Sequence, residues 1–149
     1  MVEILLAEAG HIPMLREIEL DAASICSYED LPEHLRTESM PPDILRSAQK
    51  QGLLLVAIEN GATPVGFVAC AAIDNYLHVL EIDVASRAQR RRIGSLLLSE
   101  VMDIGIQRGH DWVSLTTFSH LPWNAPWYQK MGFVKINPEV LPAWLEEIL

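Results

Sequence analysis

Apolar positions along the chain switch between a helical and a strand period, and the switches divide it into short elements. Residues 3–7 form a first strand. Over 12–27, Ile12, Leu15, Ile18 and Ile25 recur at near-helical spacing behind Pro13, a residue suited to a first helical turn. Residues 28–40 have no clear period and include Pro32, so they read as a loop, and a second helix runs over 42–51 with Gly52 at its end. Two apolar strands, 53–58 and 64–71, flank an Asn60-Gly61 pair, a strong hairpin signal. A turn at Asp74-Asn75 leads into a strand over 77–84, which completes an antiparallel meander of three strands.

A broader apolar stripe follows. Leu97, Val101 and Ile104, with Leu96, Leu98 and Met102 beside them, mark a helix over 93–108 that Gly109 ends. Residues 112–117 alternate as a strand, so 77–117 reads as strand, helix, strand, with the two strands parallel. A short helix from Asn124 or its neighbour to Met131, a stop at Gly132, a strand over 133–136 and a terminal helix over 140–149 complete the chain. The expected fold class is α/β with a mixed sheet: an antiparallel meander, then a parallel central pair, with helices on both faces. At 149 residues, half of them apolar, the chain fits one compact domain over 1–149, without repeats or long linkers.

Charge narrows the function classes. A net charge of -9 argues against a nucleic-acid binder, whose affinity rests on a basic footprint. No apolar run approaches the roughly 20 residues that cross a bilayer, and Met1-Val2-Glu3-Ile4 does not open a signal segment, so a cytoplasmic protein is expected. Cys26 and Cys70 stand apart, without metal-ligand spacing, and read as reduced thiols, so no metal is expected.

One segment departs from the acidic background. Gln89-Arg90-Arg91-Arg92-Ile93-Gly94-Ser95 joins a cation-rich turn to the apolar helix, and the first N–H groups of a helix lack intrahelical acceptors and carry the positive end of its dipole. Such a junction holds phosphate. It is not a Walker loop, since Lys-Ser/Thr is missing after the glycine, and it lacks the glycine triplet of a dinucleotide fold.

The order of elements, the turn from Gln89 to Gly94 and the segment Asn124-Ala125-Pro126-Trp127-Tyr128-Gln129-Lys130-Met131-Gly132-Phe133 resemble the GNAT family of N-acetyltransferases, over nearly the whole chain. The turn resembles the family's pyrophosphate motif, with Gln89 and Gly94 at its ends and Arg92 in place of the motif's first glycine. With a side chain there, the position is not expected to use the backbone freedom of glycine, and its guanidinium points outward or meets phosphate. The family's usual seventh strand is missing from the pattern, since the chain ends in a helical segment. A second subunit covering the open sheet edge, as in a homodimer, is one expected remedy.

The resemblance implies acetyl-CoA as donor and a small-molecule or protein amine as acceptor, by direct attack in a ternary complex. It implies phosphate contacts from Gln89, Arg90, Arg91, Arg92, Ile93, Gly94 and Ser95, and pantetheine pairing along Ile82, Asp83 and Val84, as if a strand were added. Acyl transfer to an amine needs a neutral nucleophile and a proton for the leaving thiolate. Glu81 is the first candidate base, directly or through water. Asp83, two residues on, shares its face; His78 lies opposite on regular alternation unless a bulge intervenes. Tyr128 matches the family's thiol-facing tyrosine and otherwise reads as an aromatic anchor; Asn124 reads as a cofactor contact or a helix cap. A non-catalytic acyl-CoA-binding or assembly module of the same fold is the competing reading.

Overall fold

The computed structural model describes residues 2–23, 40–89, 91–115, 128–130 and 132–133. The expected loop over 28–39, Arg90, Asn124, the expected strand beyond Phe133 and the expected helix over 140–149 lie outside them. The chain divides into two compact units, Met1–Leu115 and Thr116–Leu149, each described by itself.

In the first unit the strands β1 (Val2–Leu6), β2 (Leu54–Glu59), β3 (Thr63–Ile73), β4 (Tyr76–Val84) and β5 (Trp112–Leu115) form one sheet in the order β1-β2-β3-β4-β5. The first four are antiparallel neighbours, and β4 and β5 run parallel. The meander is therefore one strand wider than expected, because β1 adds to its outer edge through pairs such as Ile4↔Ala57. The turn residues act as their chemistry dictates. Asn60 and Gly61 both have positive φ, 53° and 74°, and the Ala62 amide closes the turn onto the Glu59 carbonyl at 3.2 Å. Asp74, at φ 53°, opens the turn between β3 and β4.

Among the described residues, three α-helices accompany the sheet: α1 (Ile12–Ala23), α2 (Pro42–Lys50) and α3 (Ile93–Gln107). Leu15 of α1, Leu45 of α2 and Leu97, Leu98 and Val101 of α3 are buried, together with Leu54, Val56, Phe67 and Leu77 of the strands. α3 approaches the sheet closely where side chains are missing. A Cβ at Gly105 would stand 3.2 Å from Val113 Cγ2 and 3.7 Å from Leu77 Cδ2, and one at Gly66 would stand 3.3 Å from Ile93 Cγ2. Among the described residues, no helix is long and apolar enough to cross a membrane.

Candidate functional site

β4 carries Glu81, Asp83 and His78, and a single irregularity sets which side chains share a face. Its pairing with β3 runs Ala69↔Glu81 and then Cys70↔Val79, so Leu80 is an extra residue in β4. The faces follow from contacts at either end. Leu77 lies toward Gly105 of α3, while Val84 sits opposite Gly66, whose bare face meets Ile93 of α3. Counting inward from both ends, Ile82 and Val84 face α3, while His78, Glu81 and Asp83 face away from it. The expectation that His78 lies opposite Glu81 is thus corrected: the bulge shifts the alternation by one, and both share a face. The pairing of Asp83 with Glu81 holds.

That face meets a residue the sequence reading missed. Glu19 of α1 brings one carboxylate oxygen within 4.8 Å of those of Glu81 and Asp83, the spacing at which one cation bridges all three. Glu19 is only 6% exposed. Its Oε2 accepts the Met40 amide at 2.8 Å, and its Oε1 is buried without a hydrogen-bond partner among the described residues. Burial pushes its pKa up to about 7 from the ordinary 4.5; the Met40 amide opposes that rise, the Glu81 charge adds to it, and Arg16 opposes it. Burial also raises Glu81, against a hydrogen bond with Asp83 that favours its ionised form. A signal for Glu19 was present: it stands seven residues after Ile12 and four after Leu15, within the apolar stripe of its helix.

His78 is 2% exposed, its Nδ1 lies 2.8 Å from Ser114 Oγ, and burial lowers its pKa. A neutral ring bound to a buried hydroxyl is a structural part of the β4–β5 pair. Cys70 is also buried, which pushes its thiol up to about 12, far from a thiolate nucleophile at neutral pH.

Beyond β4 the chain turns through Ser86–Ala88, and Asp21 of α1 secures that turn. Its Oδ2 accepts the Ser86 amide at 2.6 Å and its Oδ1 the Ser86 hydroxyl at 2.9 Å. Gln89 Nε2 donates to the Val84 carbonyl at 2.7 Å. Arg91 forms an ion pair with Glu59 at the end of β2. Arg92, the residue before α3, has φ 62° and ψ 19°, the left-handed region, and gives the helix no side-chain cap. The expectation that this position forgoes glycine-like geometry is corrected: an arginine holds it at a cost of about 1–2 kcal/mol. Ile93 is buried, while Gly94 and Ser95 are half-buried in the first turn. An uncapped helix start beneath two exposed arginines is a fit receptor for phosphate.

In the second unit, residues 128–130 are helical. The Phe133 amide donates to the Tyr128 carbonyl at 3.1 Å, Gly132 turns the chain at φ 101°, and the Tyr128 and Phe133 rings meet edge to face at 6.0 Å. The second motif thereby orders itself locally.

The profile of the acetyltransferase (GNAT) family matches residues 13–133. Among solved structures, the PaiA N-acetyltransferase of Thermoplasma acidophilum, in complex with coenzyme A, superposes with a TM-score of 0.76 at 20% identity, covering 92% of this chain and 91% of that one. An acetyltransferase of the GNAT family from Staphylococcus aureus superposes with a TM-score of 0.76 at 18% identity, covering 96% and 90%. N-acetylglutamate synthase of Neisseria gonorrhoeae, complexed with coenzyme A and N-acetyl-glutamate, gives 0.73 at 18% identity over 99% of this chain and 32% of that one. At these identities the superpositions show the fold.

Proposed function

The chain belongs to the GNAT acetyltransferase family, and we propose that it transfers the acetyl group of acetyl-CoA to a primary amine by direct attack in a ternary complex. Acetyl-CoA, when bound, supplies the acetyl thioester. The observation that carries the reading is the uncapped start of α3 beneath Arg91 and Arg92, at the end of the strand that bears Glu81. Free N–H groups of Ile93, Gly94 and Ser95, at the positive end of the helix dipole, take the pyrophosphate charge. Arg90 adds to that field, and Asn124 helps to hold the donor. Ile82, Asp83 and Val84 offer the strand backbone to the pantetheine, with Gln89 bracing the Val84 carbonyl.

Glu81 holds the proton that the acceptor ammonium gives up, and burial raises its pKa, which makes it a stronger base than an exposed carboxylate. The nitrogen then bonds the acyl carbon as the carbon–sulfur bond breaks. The Tyr128 phenol gives its proton to the sulfur, and the surplus proton on nitrogen replaces it. This role for Tyr128 rests on its motif, Tyr128 to Gly132-Phe133. The two units act as one domain in this reading, in a soluble, cytoplasmic protein that works as a homodimer.

Calorimetric titration with acetyl-CoA, followed by CoA release over a panel of amines, tests the proposal. Micromolar binding with release for at least one amine is expected. Undetectable binding by folded protein would overturn it, and binding without release for any amine would favour a non-catalytic module.

A further inference from the structure

We propose that the carboxylates of Glu19, Glu81 and Asp83 form a seat for the ammonium group of an aliphatic amine that has no carboxylate beside its nitrogen. The inference rests on the acetyltransferase reading and names its acceptor class.

Three observations lead there. One oxygen from each carboxylate lies within 4.8 Å of the others. Acceptors bound to one tetrahedral ammonium, at N–H···O lengths of about 2.8–2.9 Å, stand no more than about 4.7 Å apart, so a single primary ammonium can reach an oxygen of all three. Glu19 Oε1 is the second observation. Glu19, whose side chain reaches the cluster, is 6% exposed; its Oε2 is taken by the Met40 amide, and its Oε1 has no donor among the described residues. A buried acceptor left unpaired is costly, and a ligand that brings the donor recovers that energy. The third is charge. The body carries -9, which draws cations toward the cluster and repels an anionic acceptor.

The neighbours fix the sign of the site. Arg16, one turn before Glu19 on the same helix, is the cation that acts on it; β4 contributes Glu81 and Asp83; β3 contributes Ala69 and Phe67 at the paired positions, which carry no charge; and the segment entering α2 contributes the Met40 amide. Burial raises both Glu19 and Glu81, and the Glu81 charge adds to the rise at Glu19, so without a ligand the cluster favours holding protons. An arriving ammonium replaces those protons as counter-charge. A carboxylate on the carbon next to that nitrogen would stand against three others, and like charges in such contact repel strongly. Alkylamines and lysine-type side chains satisfy the site, whereas the amino group of a free α-amino acid does not.

The test uses the full chain with 13C-labelled side-chain carboxylates, titrated from pH 4 to 9 alone, with millimolar cadaverine, and with choline at the same ionic strength. Choline has the charge of an ammonium but no N–H. Cadaverine is expected to lower the cluster's highest midpoint by about one pH unit, a tenfold preference for the ionised cluster, and choline to leave it in place. Glu19→Gln should abolish the response, with a melting curve to confirm folding, and Asp83→Asn decides the matter if Glu19→Gln does not fold. A midpoint unmoved by cadaverine, an equal movement with choline, or a movement with magnesium alone would overturn the inference. Acetyl-CoA calorimetry on the same sample separates the two readings: binding without a cadaverine response removes only the ammonium seat, whereas a response without acetyl-CoA binding removes the transferase and leaves the seat.

Discussion

Glu19 Oε2 accepts the backbone amide of Met40 at 2.8 Å, which ties the second half of α1 to the segment that enters α2. The same carboxyl group has a pKa raised to about 7. The folded chain therefore keeps a proton that the unfolded chain releases near 4.5, so this site's contribution is fully present below about pH 4.5 and is lost as pH rises through 7. Glu19→Gln retains an acceptor for Met40 and turns an amide donor toward Glu81 and Asp83. Urea unfolding should show it about 1–3 kcal/mol more stable than wild type at pH 8 and nearly equal at pH 5. Parallel profiles for the two proteins would refute the assignment.

At Arg92 the backbone, not the side chain, sets the order of stability. Glycine removes the left-handed strain but loses more entropy on folding, so Arg92→Gly should gain about 0.5 kcal/mol. Arg92→Val, with a branched Cβ at φ 62°, should lose about 1–2 kcal/mol. Thermal unfolding of the three proteins checks the series Gly, Arg, Val, and a Val variant as stable as wild type would contradict it.

Asp21 couples α1 to the chain leaving β4 through two bonds to Ser86. Asp21→Ala should cost about 1–2 kcal/mol, and a double-mutant cycle with Ser86→Ala should show a coupling near 1 kcal/mol. Additive losses would mean that the hydroxyl bond contributes nothing.

The Arg91–Glu59 pair is exposed enough that its removal should change stability by less than about 1 kcal/mol. Its effect on ligand binding is larger in the proposed function, because Glu59 competes with phosphate for the guanidinium. Glu59→Gln should tighten acetyl-CoA binding by roughly two- to fivefold, and Arg91→Gln should weaken it, with a shallower salt dependence in the second case. Calorimetry at two salt concentrations decides; weaker binding in Glu59→Gln would assign the pair an organising role instead.

Cys70, buried and with its thiol raised to about 12, should resist alkylation at pH 8 in the native state and react once unfolded. Cys70→Ala should retain turnover, as direct transfer requires. Loss of turnover in a folded Cys70→Ala protein would argue for a covalent acyl-enzyme.

Much of this was legible because it is local. Asn60-Gly61 and Asp74-Asn75 announce turns whose positive φ values the fold displays. The stripe of Leu97 and Val101 forms the buried side of α3, and the arginine turn lies at its start. Even Glu81 and Asp83 could be assigned to one face, since between them β4 alternates without interruption. His78 could not, because the extra residue at Leu80 exists only in the register between β4 and β3. Glu19 showed an anomaly, a carboxylate in an apolar stripe, but its own helix says nothing about what lies opposite.

The sequence by itself determined the elements of the first unit among the described residues, their order, the arginine turn before α3 and the family, because periodicity, turn chemistry and helix-end electrostatics act over a few neighbouring residues. Tertiary structure decided which carboxylates meet. Glu19 and Glu81 are 62 positions apart, and only the packing of α1 on the bulged β4 brings them together, removes water and raises both pKa values. Desolvation and charge repulsion depend on distance in space, which no local pattern encodes.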